Sequence, residues 1–269
     1  MKYFVFACGA LGAVARAWAQ TEHLVESATL VARYDLGSPY SSFEPSIGTP
    51  YSNISTSSGQ AFAGGGATSG TAPITRVVMD DITPSAGYAG QEVTRMYFSV
   101  ANQGMATITA RVRLRWWKAD GTGGDPGTYY SDPAAVGFTF FAMPFPVGIS
   151  LYFFDLMPGT MNMPSGTMWF GTTFDNNANT TGASPSDLND LGVALFNPPT
   201  VGSSADTMFL TTAPGSYFGL NNPAGSRFDF GGNPKANVYY RLEALPEPGS
   251  LVALGIGFAA LARSRRRSR

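Results

Sequence analysis

The strongest constraint on this chain is a period-two rhythm of short β-branched and aromatic runs, each closed by Gly, Pro, Asn or Ser. Between Arg111 and Trp117, the residues Arg111, Arg113, Arg115 and Trp117 alternate with Val112, Leu114 and Trp116. That is the pattern of a half-buried strand. Comparable runs occupy 29–34, 74–79, 94–100, 136–141, 149–154, 167–174, 191–196, 207–212 and 237–242. About ten such strands, with turn-rich connections and no long amphipathic helix, predict an all-β body: an antiparallel β-sandwich, jelly-roll-like. The composition agrees, since 32 glycines and a 13% charged fraction suit turns and buried sheets, while 13% aromatics oppose disorder. No repeat of 20 to 50 residues is visible, which disfavours solenoids and propellers. The Ser-, Gly-, Pro- and Thr-rich stretch 38–71 reads as a long irregular loop or loosely ordered arm, and 175–189 and 215–235 as further polar stretches.

The two ends have a different character. Met1 and Lys2 precede an apolar run from Tyr3 to Val14, and Ala17 and Ala19 flank Trp18 just before Gln20. This is the layout of a signal peptide over 1–19 forming an N-terminal signal helix, with the mature chain starting at Gln20. Ala15 and Ala17 around Arg16 make a weaker second cleavage site. Cys8, the single cysteine, has too few apolar residues before it for a lipoprotein signal. Cleavage at Ala19 would leave no cysteine, which excludes disulfide and thiol chemistry from the expected domain at 20–244.

At the other end, Leu245, Pro246, Glu247, Pro248 and Gly249 lead into an uncharged apolar run, Ser250 to Ala262, and then into Arg263, Arg265, Arg266, Arg267 and Arg269. This order of tripeptide, apolar helix and arginine cluster over 245–269 resembles the PEP-CTERM protein-sorting signal. The two prolines keep the tripeptide out of helix and sheet, so its backbone is open to a protease. The apolar run would enter the bilayer as a transmembrane helix, with the arginines on the cytoplasmic side. Thirteen helical residues span roughly 20 Å against a hydrocarbon core of about 30 Å, a short anchor that suits a segment held briefly and then removed. The resemblance implies an exosortase-like membrane protease as processing partner, in a bacterium with an outer membrane. A cell-wall sortase fits less well, because Pro248 stands where its signal has Thr. A tail anchor that is never cleaved is the other alternative.

Within the body, chemistry is limited by what is lacking. His23, the only histidine, lies four positions after the expected new terminus, which disfavours a Ser-His-Asp triad and leaves no His/Cys set for zinc or copper. Gly64, Gly65 and Gly66 are followed by no Lys, so they do not form a phosphate cradle. Setting aside Lys2, Arg16, the five terminal arginines and Glu247 leaves 10 basic against 17 acidic side chains, and a body near −7 offers no footprint for nucleic acid. The carboxylates Asp80, Asp81, Glu92, Asp155, Asp175 and Asp229 are the candidates for a glycosidase pair, with no spacing that selects two. Asp175, Asn177 and Asn179 match the first three positions of a calcium loop, although Thr180 and Ser186 replace its turn Gly and closing Glu. A structural calcium there is the one cofactor expected, an Asx-turn loop the plainer reading. Trp117 and Trp169, with Tyr129, Tyr130 and Tyr217, are the available sugar platforms, and the arginines beside Trp117 would suit an acidic polysaccharide. The plainer alternative is that Trp116 fills the core while Trp117 and the arginine stems cover a loop.

These readings lead to a non-enzymatic surface or extracellular-matrix protein, carried out by the export machinery, held by its tail and processed. The alternative is a carbohydrate-binding module or glycoside hydrolase on the sandwich.

Overall fold

The computed structural model describes residues 23–24, 27–41, 48–70, 73–130, 137–212 and 221–245. The signal segment 1–19, Tyr217 and the sorting segment from Pro246 onward lie outside them. The strands are β1 (His23–Leu24), β2 (Thr29–Tyr34), β3 (Tyr40–Ser41), β4 (Tyr51–Asn53), β5 (Thr56–Ala63), β6 (Val78–Ile82), β7 (Val93–Asn102) and β8 (Ile108–Lys118). They continue as β9 (Gly137–Phe145), β10 (Gly148–Asp155), β11 (Met168–Asp175), β12 (Leu191–Phe196), β13 (Met208–Thr211), β14 (Gly225–Phe228), β15 (Asn237–Val238) and β16 (Tyr240–Ala244). One five-residue helix, α1 (Pro185–Asn189), is closed by a capping box between Ser184 and Asp187.

The strands form two sheets. The seven-stranded sheet runs β1-β9-β8-β11-β6-β13-β14; the nine-stranded sheet runs β2-β10-β7-β12-β5-β3, with β16 beside β7, β4 beside β16, and β15 beside β12. Pairing is antiparallel except for the short β1–β9 contact. The chain crosses between sheets repeatedly, as from β6 to β7 to β8 and from β9 to β10 to β11 to β12. Both sheets contribute to one core: Val112, Leu114, Trp116, Phe138 and Phe170 from the first meet Met96, Phe98, Phe154, Val193 and Leu242 from the second. The body is therefore nearly all β, with its antiparallel sheets joined through a shared apolar interior.

The stretch 38–71 differs from its expected loop. It contains β3, β4 and β5, and β5 is inserted between β12 and β3. Ser57 and Gly59 point to the buried side, where small residues permit close approach: Ser57 Oγ accepts from Tyr34 Oη at 3.0 Å and donates to the Leu195 carbonyl at 3.2 Å. A Ser- and Gly-rich run becomes a strand because neighbours supply ladder partners, whatever its own propensity. The polar stretch 215–235 likewise contains β14, paired with β13.

Candidate functional site

The candidate site begins where β16 ends. Along β16, Tyr240 and Leu242 enter the core while Arg241 and Glu243 face the opposite side. There Arg241 Nη2 lies 2.9 Å from Glu243 Oε1 and its guanidinium lies over the Tyr97 ring, whose hydroxyl donates to Glu243 at 3.0 Å. The strand is interior to its sheet, with β4 on one side and β7 on the other. The Ala244 N–H donates to the Gly48 carbonyl at 2.9 Å and the Leu245 N–H to the Glu92 carbonyl at 3.1 Å. Pro246 has no N–H to offer, so the donor series of the ladder ends chemically at that residue. The tripeptide Pro246, Glu247, Pro248 thus follows directly on Leu245, the last sheet-bonded residue among the described ones. The sorting residues themselves, including Gly249, Arg263, Arg265, Arg266 and Arg267, lie outside the described residues. No helix among the described residues is long and apolar enough to cross a membrane.

The proposed sugar platform is corrected by the structure. Trp117 and Trp169 are 0% and 1% exposed, paired side by side on β8 and β11, within an outer cluster of the seven-stranded sheet that includes Val77, Met79, Tyr129 and Phe209. The β8–β9 connection and β14 cover them: Trp169 Nε1 donates to the Gly124 carbonyl at 2.9 Å, Tyr129 packs on Trp117, and Arg227 of β14 lies over the Trp169 ring. Neither indole has a face open to a pyranose. Tyr129 is sealed with them, and Tyr130 is in the main core with its hydroxyl on the Asn162 carbonyl. As in the plainer reading, Trp116 fills the core and a loop covers Trp117.

At the calcium triad the structure places arginine partners. Asp175 is buried, its Oδ1 2.6 Å from Arg111 Nε and its Oδ2 3.5 Å from Arg113 Nη1, and Asn177 Oδ1 accepts from Arg111 Nη1 at 2.8 Å. Guanidinium donors thus occupy the oxygens assigned to a cation. Asn179 uses its backbone N–H to bond Asn176 Oδ1, and Asn177, Ala178 and Asn179 all have positive φ, the geometry of a tight Asn-rich turn. No group of three or more His, Cys, Asp or Glu side chains suited to a metal forms among the described residues. The sequence signal for this pairing was present in Arg111 and Arg113 on one strand face, but their partner is distant in sequence.

The remaining carboxylates tie segments together. Asp80 is fully buried and accepts from the Val238 N–H at 2.7 Å and Ser204 Oγ at 3.1 Å; Asp81 accepts from the Ala205 N–H at 3.1 Å. Burial, then the adjacent Asp81 carboxylate, pushes the Asp80 carboxyl well above the usual carboxylate range, against the lowering by its hydrogen-bond donors. Burial also raises Asp81. Glu92 accepts from the Gly159 N–H, Asp155 pairs with Arg95 at 2.6 Å in the open, and Asp229 accepts from the Gly231 N–H. Asp80 and Asp81 share Ser204, but Asp80 exposes no surface to a substrate.

No curated protein and no solved structure matches the chain. The model of the PEP-CTERM protein-sorting motif matches residues 244–267, from the last residue of β16 onward. The chain therefore carries a PEP-CTERM sorting motif joined directly to its β body, the address of a protein exported to the cell envelope or surface and processed, as such motifs are, by an exosortase.

Proposed function

We propose that this is a non-enzymatic surface or extracellular-matrix protein whose working part is the β body, jelly-roll-like in its repeated crossings between sheets. A signal peptide ending at Ala19 starts its export; the tail from Ser250 to Ala262 then holds it in the inner membrane as a transmembrane helix. An exosortase cuts near Pro246, Glu247 and Pro248 and sends the body to the surface or matrix. The observation that carries this reading is the sorting motif at 244–267, which begins at the end of β16. The alternative, a carbohydrate-binding module or glycoside hydrolase, has less behind it, because both indoles are roofed and each candidate carboxylate holds a nearby donor.

Intact mass of the protein from envelope and medium of its native host tests the proposal. The expected species begins at Gln20 and ends between Pro246 and Gly249. A chain ending at Arg269 in both fractions overturns processing.

A further inference from the structure

We infer that the end of the body carrying Leu245 and the Met157–Gly159 turn is a membrane-contact surface, seated on the lipid interface for as long as the tail is in the bilayer. The inference rests on the tail insertion proposed above and adds which face of the body meets the lipid.

The argument begins with length. Leu245 is still bonded to the sheet through its N–H, and only Pro246, Glu247, Pro248 and Gly249 separate it from the apolar run at Ser250. From Leu245 to Ser250 there are five steps, which span at most about 18 Å when fully extended. The headgroup layer on one side of a bilayer takes up roughly 5–8 Å of that. The body therefore has too little tether to stand clear of the membrane, and the rim around Leu245 comes against the headgroups.

The rim is built for such contact. Glu92 organises it with two different groups: its backbone carbonyl accepts the Leu245 N–H, and its carboxylate accepts the Gly159 N–H of the neighbouring turn. The turn is fixed further by Leu156 N–H to the Thr94 carbonyl at 2.8 Å and Val93 N–H to the Met161 carbonyl at 2.9 Å. Two large apolar side chains are presented from this frame, Leu245 at 52% and Met157 at 66% exposure. Side chains of this kind enter the headgroup–acyl boundary at a gain set by the apolar area buried. The far end of the body also exposes apolar residues, Leu36, Met105 and Val147. Hydrophobicity alone would not choose between the ends; the exit point of the chain does. The ten residues of β7 hold the two ends about 30 Å apart.

The test uses the tail-bearing chain from Gln20 to Arg269, which contains no cysteine, so that one introduced cysteine carries a bimane label. It is reconstituted in phosphatidylcholine vesicles containing lipid spin-labelled near the headgroup. Met157→Cys should be quenched at least threefold more than Met105→Cys, and Pro158→Cys serves as a second site on the same turn. A twelve-residue Gly/Ser insertion between Leu245 and Pro246 should bring quenching at 157 down to the level at 105, with the chain still sedimenting with vesicles after carbonate washing. Equal quenching at 157, 158 and 105 in chains that sediment overturns the contact surface while leaving tail anchoring intact. A tail-bearing chain that does not sediment overturns the anchoring and the contact surface together. Quenching at 157 that persists with the insertion shows a contact independent of the short tether and overturns the argument from length.

Discussion

Asp80 shows how one residue sets a pH response. Its folded carboxyl is held above the ordinary carboxylate value by burial and by Asp81. Between those two values the unfolded chain releases a proton that the folded chain keeps. Folding stability is therefore full below the ordinary value near 3.9 and falls as pH rises toward the folded one, by up to about 1.4 kcal/mol per pH unit. Asp80→Asn can still accept the Val238 N–H and donate to Ser204, so its thermal midpoint should decline less steeply than wild type between pH 4 and 8. The shift at Asp81 has the same sign and leaves a residual slope. Identical slopes in the two proteins would show that Asp80 does not carry the effect. Asp175 is the anion between Arg111 and Arg113. Asp175→Ala removes the carboxylate that both guanidiniums face and should cost on the order of 3 kcal/mol in urea unfolding. Millimolar calcium should leave the wild-type midpoint where it is, since the carboxylate already has arginine partners.

At the scale of elements, the seven-stranded sheet is covered on both faces where Trp117 and Trp169 lie, and β11 shows what that requires. Met168 and Phe170 enter the core while Trp169 and Gly171 face outward, opposite Trp117 and Arg115 on β8. A Cβ on Gly171 would stand 2.6 Å from Trp117 Cζ3 and 2.7 Å from Val77 Cγ1. The missing side chain is the space that the indole occupies. Gly171→Ala should destabilise by about 1–3 kcal/mol through overpacking, read as a lower denaturation midpoint together with a change in tryptophan emission. An unchanged midpoint would mean that the connection above the cluster shifts at no cost. The strand runs were legible because period two shows in the amino acids themselves: 29–34 and 191–196 match β2 and β12 end to end. Strand β5 was not legible, because Ser57, Ser58 and Gly59 are turn formers until β12 and β3 flank them.

For the whole molecule, β16 is fixed inside its sheet and the sorting tripeptide starts one residue beyond it, after Leu245. Replacing Pro246, Glu247 and Pro248 by alanine removes the peptide that the protease would recognise without touching any residue of the sheet. The expected outcome is a tail-bearing chain ending at Arg269 in the envelope fraction, with the thermal midpoint of the tail-bearing wild type. Normal processing of that variant, read by intact mass, would mean that the tripeptide is not the signal. The sequence by itself determined the features that are local: the alternation that makes strands, and the order of tripeptide, apolar run and arginines that forms an address along the chain. Tertiary structure alone decided what covers each strand face. Alternation tells which side chains share a side but not whether solvent or another segment meets them. Trp117 and Trp169 look like a platform on β8 and β11 and are sealed by the connection carrying Gly124. Asp175 looks like a ligand and is an arginine partner, because its acceptors are filled from a strand more than sixty residues away.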